Sequence, residues 1–216
     1  MTDPVAAPGR TTMTRLRDKA VTDRAALDAL LDEALVGHLG FVATDGRPVV
    51  LPTAITRDAD RVLIHGSTGS SWMRTVAGGA PVSLAITALD ALVVARSAFE
   101  SSMQYRSAVL FGACTPVADV ERRTALDVIT EHLLPGRTAE VRPATERELA
   151  ATLVLALPIE EWSLKVSDGW PEDPPDDVAG DAWAGVVPLV VTRGRPRPAP
   201  DLRPGLPVPP SLVGRS

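Results

Sequence analysis

The dipeptide Asp45-Gly46 sits between two apolar runs, residues 38–44 and 47–55. An Asp-Gly pair enters positive φ at little cost and matches the twist of a tight hairpin, so the flanking runs are predicted to be adjacent antiparallel strands. Pro48 and Pro52 cannot donate to a ladder and place the second run at a sheet edge or a bulge. Residues 57–60 (Arg-Asp-Ala-Asp) form a further turn before a short strand at 61–65, which predicts a three-stranded meander. Residues 81–89 and 91–95 read as two strands turning at Asp90, 105–115 as a longer strand, and 153–166 as a strand that Pro158 interrupts. About seven strands joined mostly by tight turns predict an antiparallel barrel, mainly β with inserted helices, rather than a parallel sheet.

Helical spacing accounts for the remainder. Leu27, Leu30, Leu31, Ala34 and Leu35 recur on one face, after Thr22 and before Gly37. A short helix is predicted over 72–77, closed by Gly78-Gly79, and another from Asp119 to about Leu133. Thr145-x-x-Glu148 is a capping box for a further helix. Residues 1–20 are polar and form an extension, and 21–192 carry the domain. Residues 193–216 form an arm with seven prolines, either a linker or an extended segment packed on the domain or on a partner subunit.

Composition narrows the function classes. The 216 residues carry a net charge of −5, and 20 of the 22 basic residues are arginines. With no basic stripe, that bias fits a coding background better than a nucleic-acid surface. A single cysteine, Cys114, permits no internal disulfide, and its place in an apolar strand predicts a buried, inert thiol. No run approaches a membrane span and residues 1–18 lack a signal-peptide core, so a cytoplasmic location is expected. Phosphate-loop, dinucleotide-fold and hydrolase-elbow motifs are all missing. His38, His65 and His132 show no helical metal-ligand spacing, so no metal site is expected.

Two segments carry chemistry. Residues 65–72 (His-Gly-Ser-Thr-Gly-Ser-Ser-Trp) run from a strand through small hydroxyl residues into a helix start. They form either an anion site or an ordinary capped loop. Arg106 enters an apolar strand on the face of Ala108 and Leu110, and there it needs a partner, either a carboxylate or a bound phosphate. Tyr105 and Ser107 lie on the opposite face. His38 at a strand start is structural or a ligand, and residues 170–177 are a lid or a solvated acidic loop.

Residues 37–48, 51–53 and 62–67 resemble the opening strands of the pyridoxamine 5′-phosphate oxidase-like flavin-binding split barrels. Residues 95–99 and 105–107 resemble the flavin-nucleotide-binding branch that includes nitroimidazole-resistance reductases, and 162–169 match its late strand. The resemblance spans about 15–210 and implies a six-stranded split β-barrel, a homodimer, and FMN in a cleft between subunits. It implies that Pro52, Thr53, His65, Gly66 and Ser67 line the ring or ribityl chain, with Thr68 also at the cofactor. Ser70, Ser71 and Trp72 would stand near the phosphate, with Arg106 and Ser107 facing the flavin. The short helix carries Trp72, Met73 and Arg74 where many relatives have a phosphate-binding lysine, so Arg74 or Arg106 is the expected substitute. The C-terminus lacks the substrate motif of the authentic oxidases. The implied function is an FMN-dependent oxidoreductase of an unidentified small molecule, reduced by a nicotinamide, in which no side chain need be an acid, base or nucleophile and the catalytic residues are unassigned. The alternatives are a non-catalytic flavin- or haem-binding protein, with His65 as an axial ligand, and a deazaflavin-dependent reductase.

Overall fold

The computed structural model describes residues 9–11 and 17–213. The predicted extension therefore lies largely outside the described residues. Its end forms β1 (Ala20–Val21). Helix α1 (Arg24–Glu33) follows, where Asp23 caps by accepting from the Ala25 N–H at 3.0 Å. Strands β2 (Val36–Val42) and β3 (Pro48–Ala54) form the expected hairpin. Gly46 has φ +82°, and the Asp45 carboxylate accepts from the Arg47 N–H at 3.1 Å. β3 is a sheet edge, so the missing N–H groups of Pro48 and Pro52 leave no ladder incomplete.

The meander does not form. At Ile55 the chain leaves the first sheet, and β4 (Thr56–Asp58) pairs with β5 (Arg61–Ser67) in a second one. Ala59 turns that hairpin at φ +52°. Helix α2 (Ser71–Ala77) leads to β6 (Pro81–Val94). β6 is one 14-residue strand rather than two. Asp90 is its bulge, because pairing with β7 (Ser102–Ala113) resumes one residue out of step beyond Leu89. β8 (Thr115–Pro116), α3 (Asp119–Leu133) and α4 (Glu146–Ala151) follow, and the Thr145–Glu148 capping box is formed. β9 (Thr152–Pro158) and β10 (Glu161–Ser167) end at and restart after Pro158, in different sheets. The four-residue helix α5 (Pro175–Val178) and β11 (Gly185–Pro188) follow, and short 3-10 turns stand at Arg17–Lys19 and Pro210–Leu212.

All pairings are antiparallel. One sheet runs β1-β10-β7-β6-β2-β3, with β11 also on β6, and the other runs β4-β5-β9-β8. Leu27, Leu30 and Leu31 of α1, with Met73 and Val76 of α2, fill the space between the sheets against Leu39, Leu84, Ile64 and Leu155. Ala125 and Ile129 of α3 pack on the other side of the smaller sheet, over Leu63, Val154 and Ala156. Among the described residues no helix is long and apolar enough to cross a membrane.

The outward face of the larger sheet follows from the register. His38, Gly40 and Val42 align with Pro52, Val50 and Pro48 on one side, and Ser83 and Ala85 continue the first two rows on the other. Beyond them come Phe111 and Val109, then Glu161 and Ser163. This face is rich in small residues, and Val50 is 70% exposed on it.

Candidate functional site

The β5–α2 segment is held by its own backbone and by one arginine. The Thr68 N–H and hydroxyl both donate to the Ala151 carbonyl, at 3.0 and 3.3 Å. The Gly69 N–H donates to Ser67 Oγ at 3.1 Å and the Ser70 N–H to the Ser67 carbonyl at 3.0 Å. Arg74 donates to the carbonyls of Thr68 and Gly69, at 3.3 and 2.7 Å. Its charge closes the loop from which it was expected to reach a phosphate. Ser70 makes no side-chain cap bond. At Gly66 a Cβ would stand 3.1 Å from Met73 Cγ, so the absence of a side chain lets α2 close on β5.

His65 lies opposite Val154, on the face of β5 that also carries Leu63. That is the α3 side, away from the barrel interior. Its Nδ1 is buried and has no hydrogen-bond partner, and burial pushes the imidazole below its usual pKa, toward the neutral form. The other histidines differ. His132 Nε2 meets the Ala34 carbonyl at 2.9 Å, and His38 stands exposed on the outer sheet face.

Arg106 takes the carboxylate alternative. Nε and Nη2 donate to Asp90 at 3.0 and 2.7 Å, while Nη1 and Nη2 donate to Glu33 at 2.7 and 3.1 Å. The Asp90 and then the Glu33 bonds raise its pKa above the ordinary guanidinium value. Four of its five N–H groups are engaged, tying the end of α1 to the β6 bulge. Ser107 and Pro52 are both on the outer face, and Thr53 pairs with Gly37 on the inward one. The structure thus brings together His65, Gly66, Ser67, Thr68, Ser70, Ser71 and Trp72, and sets Pro52, Thr53, Arg106 and Ser107 apart from them within one copy.

A cleft of about 340 Å³ lies elsewhere and includes none of those residues. Lys19, Met103, Ser167 and Trp170 line it. Lys19 Nζ donates to Ser167 Oγ at 3.0 Å. The adjoining loop is fixed rather than hinged, because Asp173, its side chain 1% exposed, accepts from the Arg96 N–H at 2.8 Å and from its guanidinium at 2.9 Å. Nothing local in the sequence marks Asp173 among its acidic neighbours, and its partner lies 77 residues away. Among the described residues no group of acidic, histidine or cysteine side chains is arranged to hold a metal ion.

The profile of the family described as pyridoxamine 5′-phosphate oxidase matches residues 23–166. The chain belongs to this family of flavin-binding split barrels. Among solved structures, this split barrel is similar to the FAD and haem binding protein from Mycobacterium smegmatis, with 51% identity and a TM-score of 0.88 over 92% of this chain and 97% of that one. It is also similar to the flavocytochrome Anf3 from Azotobacter vinelandii, with 32% identity and a TM-score of 0.89 over 99% of each chain. A 5-nitroimidazole antibiotic resistance protein from Bacteroides thetaiotaomicron shares the fold, with 20% identity and a TM-score of 0.58 over 68% of this chain and 86% of that one. No curated protein matches.

Proposed function

We propose that this split barrel is an FAD- and haem-binding oxidoreductase that works as a homodimer on a small molecule, with FAD in place of the FMN expected from sequence. The observation that carries the reading is His65, a half-buried imidazole whose buried Nδ1 has no partner and whose pKa burial lowers toward the neutral form, in a chain 51% identical to a protein that binds FAD and haem. A neutral imidazole is the form that ligates iron. Of the three histidines, His132 donates from Nε2 to a backbone carbonyl and His38 stands exposed on the outer sheet face, so His65 is the residue assigned to haem.

When bound, the flavin supplies hydride and electron transfer, and the chain supplies orientation and a shaped, partly dry surface. The Ser70 and Ser71 hydroxyls, beside the Gly66 approach, would hold polar groups of the nucleotide. Arg74 and Arg106 are engaged with loop carbonyls and carboxylates, so positive charge for the phosphates comes from outside this segment. Ser107 and Pro52 reach a flavin only across the outer sheet face, which is consistent with a site shared between two copies. The exposed Val36, Val42 and Val50 on that face support burial against a second subunit.

The test is the absorption spectrum of protein reconstituted with FAD and haem, followed by anaerobic addition of reduced nicotinamide. A flavin spectrum plus a Soret band is expected, with the flavin bleached by the nicotinamide. His65→Ala loses the Soret band and keeps the flavin bands, while His38→Ala keeps both. Wild-type protein that retains neither group after desalting refutes the reading, and an unaltered Soret band in His65→Ala removes His65 from the iron.

A further inference from the structure

The proline-rich arm is tied at both ends and exposed between them. Past β11, the Leu189 N–H donates to the Asp90 carbonyl at 2.9 Å. At the far end Ser211, itself buried, donates from its N–H and hydroxyl to the Glu140 carboxylate, at 2.8 and 2.5 Å. These bonds hold Glu140 below the usual carboxylate range. Residues 190–208 between the ties are exposed throughout, Val191 completely. Arg193, Arg195, Arg197 and Arg203 lie on this strap and make no ion pair among the described residues. Four arginines against Asp201 give the strap +3 and leave −8 on the rest of a chain whose total is −5.

The complementary charge is on the same molecule but unmet by its own strap. Glu172, Asp176, Asp177 and Asp181 likewise make no ion pair among the described residues. Their segment is held in place through Asp173 and Arg96. A proline-rich segment is extended in advance, so it loses little entropy when it docks.

We propose that the strap, residues 190–208, wraps a second copy of this chain, its four arginines meeting the acidic segment 172–181 of that copy. The proposal rests on the homodimer reading and says which element makes the dimer sensitive to charge. Charge complementarity between strap and acidic segment fixes the register of the pair and gives it a steep salt dependence.

The experiment uses the full-length protein and the variant Arg193→Gln, Arg195→Gln, Arg197→Gln, Arg203→Gln, which keeps the Ser211 tie. Dimer dissociation is followed by light scattering across a dilution series in low and high salt, with a thermal melt to establish that the variant is folded. Wild type is expected to dissociate more readily as salt rises. The variant dissociates at least ~10-fold more readily in low salt and loses most of that salt dependence. Arg193→Glu, Arg195→Glu, Arg197→Glu combined with Glu172→Arg, Asp176→Arg, Asp177→Arg restores the dimer that either triple alone weakens. A variant that dimerises like wild type overturns the strap proposal and leaves the dimer standing. A wild type that is monomeric at every concentration overturns both. A variant with unchanged dimerisation but weaker FAD or heparin binding assigns the arginines to a phosphate-bearing ligand and overturns the proposal.

Discussion

Replacing Arg106 with alanine separates a structural tie from a cofactor contact. The guanidinium bonds Asp90 and Glu33 with four charge-assisted hydrogen bonds. The side chains of Arg106, Asp90 and Glu33 are 28, 37 and 58% exposed. The Glu33 arm is therefore largely screened and contributes at most ~0.5 kcal/mol, while the bidentate, more sheltered Asp90 arm contributes ~0.5–1 kcal/mol. Loss of the packed side-chain stem brings the expected destabilisation to roughly 1–2 kcal/mol, or about 2–8 °C in a melt of a domain this size. Part of that loss disappears in high salt. Affinity for FAD in the reconstituted protein is expected to change by less than ~3-fold, whereas loss of a flavin-phosphate contact would exceed ~10-fold. A double-mutant cycle with Asp90→Ala should return a coupling of ~0.5–1 kcal/mol. Arg106→Ala that keeps its melting temperature within ~1 °C but loses FAD more than ~10-fold would refute the tie and return Arg106 to the cofactor.

Three further outcomes are expected. His65 is held below its usual pKa by burial, so at mildly acid pH the unfolded chain binds a proton that the folded chain does not. The stability of wild type should therefore fall as pH drops below ~6.5, and urea melts at pH 7.5 and 5.5 should show a smaller fall for His65→Gln. Burial raises the Cys114 thiol to about 11, leaving roughly one thiolate per thousand at pH 8; the native protein should resist thiol reagents until urea exposes the cysteine, and prompt native labelling would contradict the burial. In Gly37→Ala the new Cβ would lie 2.8 Å from Leu84 Cδ1 and 3.1 Å from Ile55 Cγ2 in the core, so a loss of about 1–3 kcal/mol is expected in denaturant melts, and wild-type stability would show that the Leu84 and Ile55 side chains move aside there without cost.

What the chain declares locally, it forms. Asp45-Gly46 turns the first hairpin, the Thr145 box caps α4, and Pro48 and Pro52 lie on a sheet edge. What it does not declare depends on residues far away. Asp90 looks like a turn residue, yet β7 pairs with both halves of β6 and converts the turn into a bulge. Ile55 looks like the end of a strand, but its N–H donates to the Leu35 carbonyl while the chain crosses to the other sheet, and no local pattern separates a crossing from a meander. The candidate site is legible to the same degree. Residues 65–72 are contiguous, so the sequence groups them as the structure does. Pro52 and Ser107 are grouped with them through the family pattern, and one copy leaves them on a different surface.

The arginines show why an unusual composition is weak evidence for a binding site until partners are known. Arg24 reaches Asp60, Arg57 reaches Asp32, Arg61 reaches Glu121 and Arg106 reaches Glu33, each joining elements distant in sequence. Three of the four meet acids of α1 or of the β4–β5 turn, near the place where the chain crosses between sheets. A fork that bonds two oxygens at once holds such a seam better than an ammonium, so a chain with two lysines is not short of cations for structure. It is short of free ones. Among the described residues, once every arginine with a carboxylate in reach is set aside, the unpaired guanidinium groups concentrate on the strap, which is exposed along its whole length. Free charge on an exposed backbone, rather than arginine content, is what singles out the strap as the segment for which a partner outside the chain is proposed.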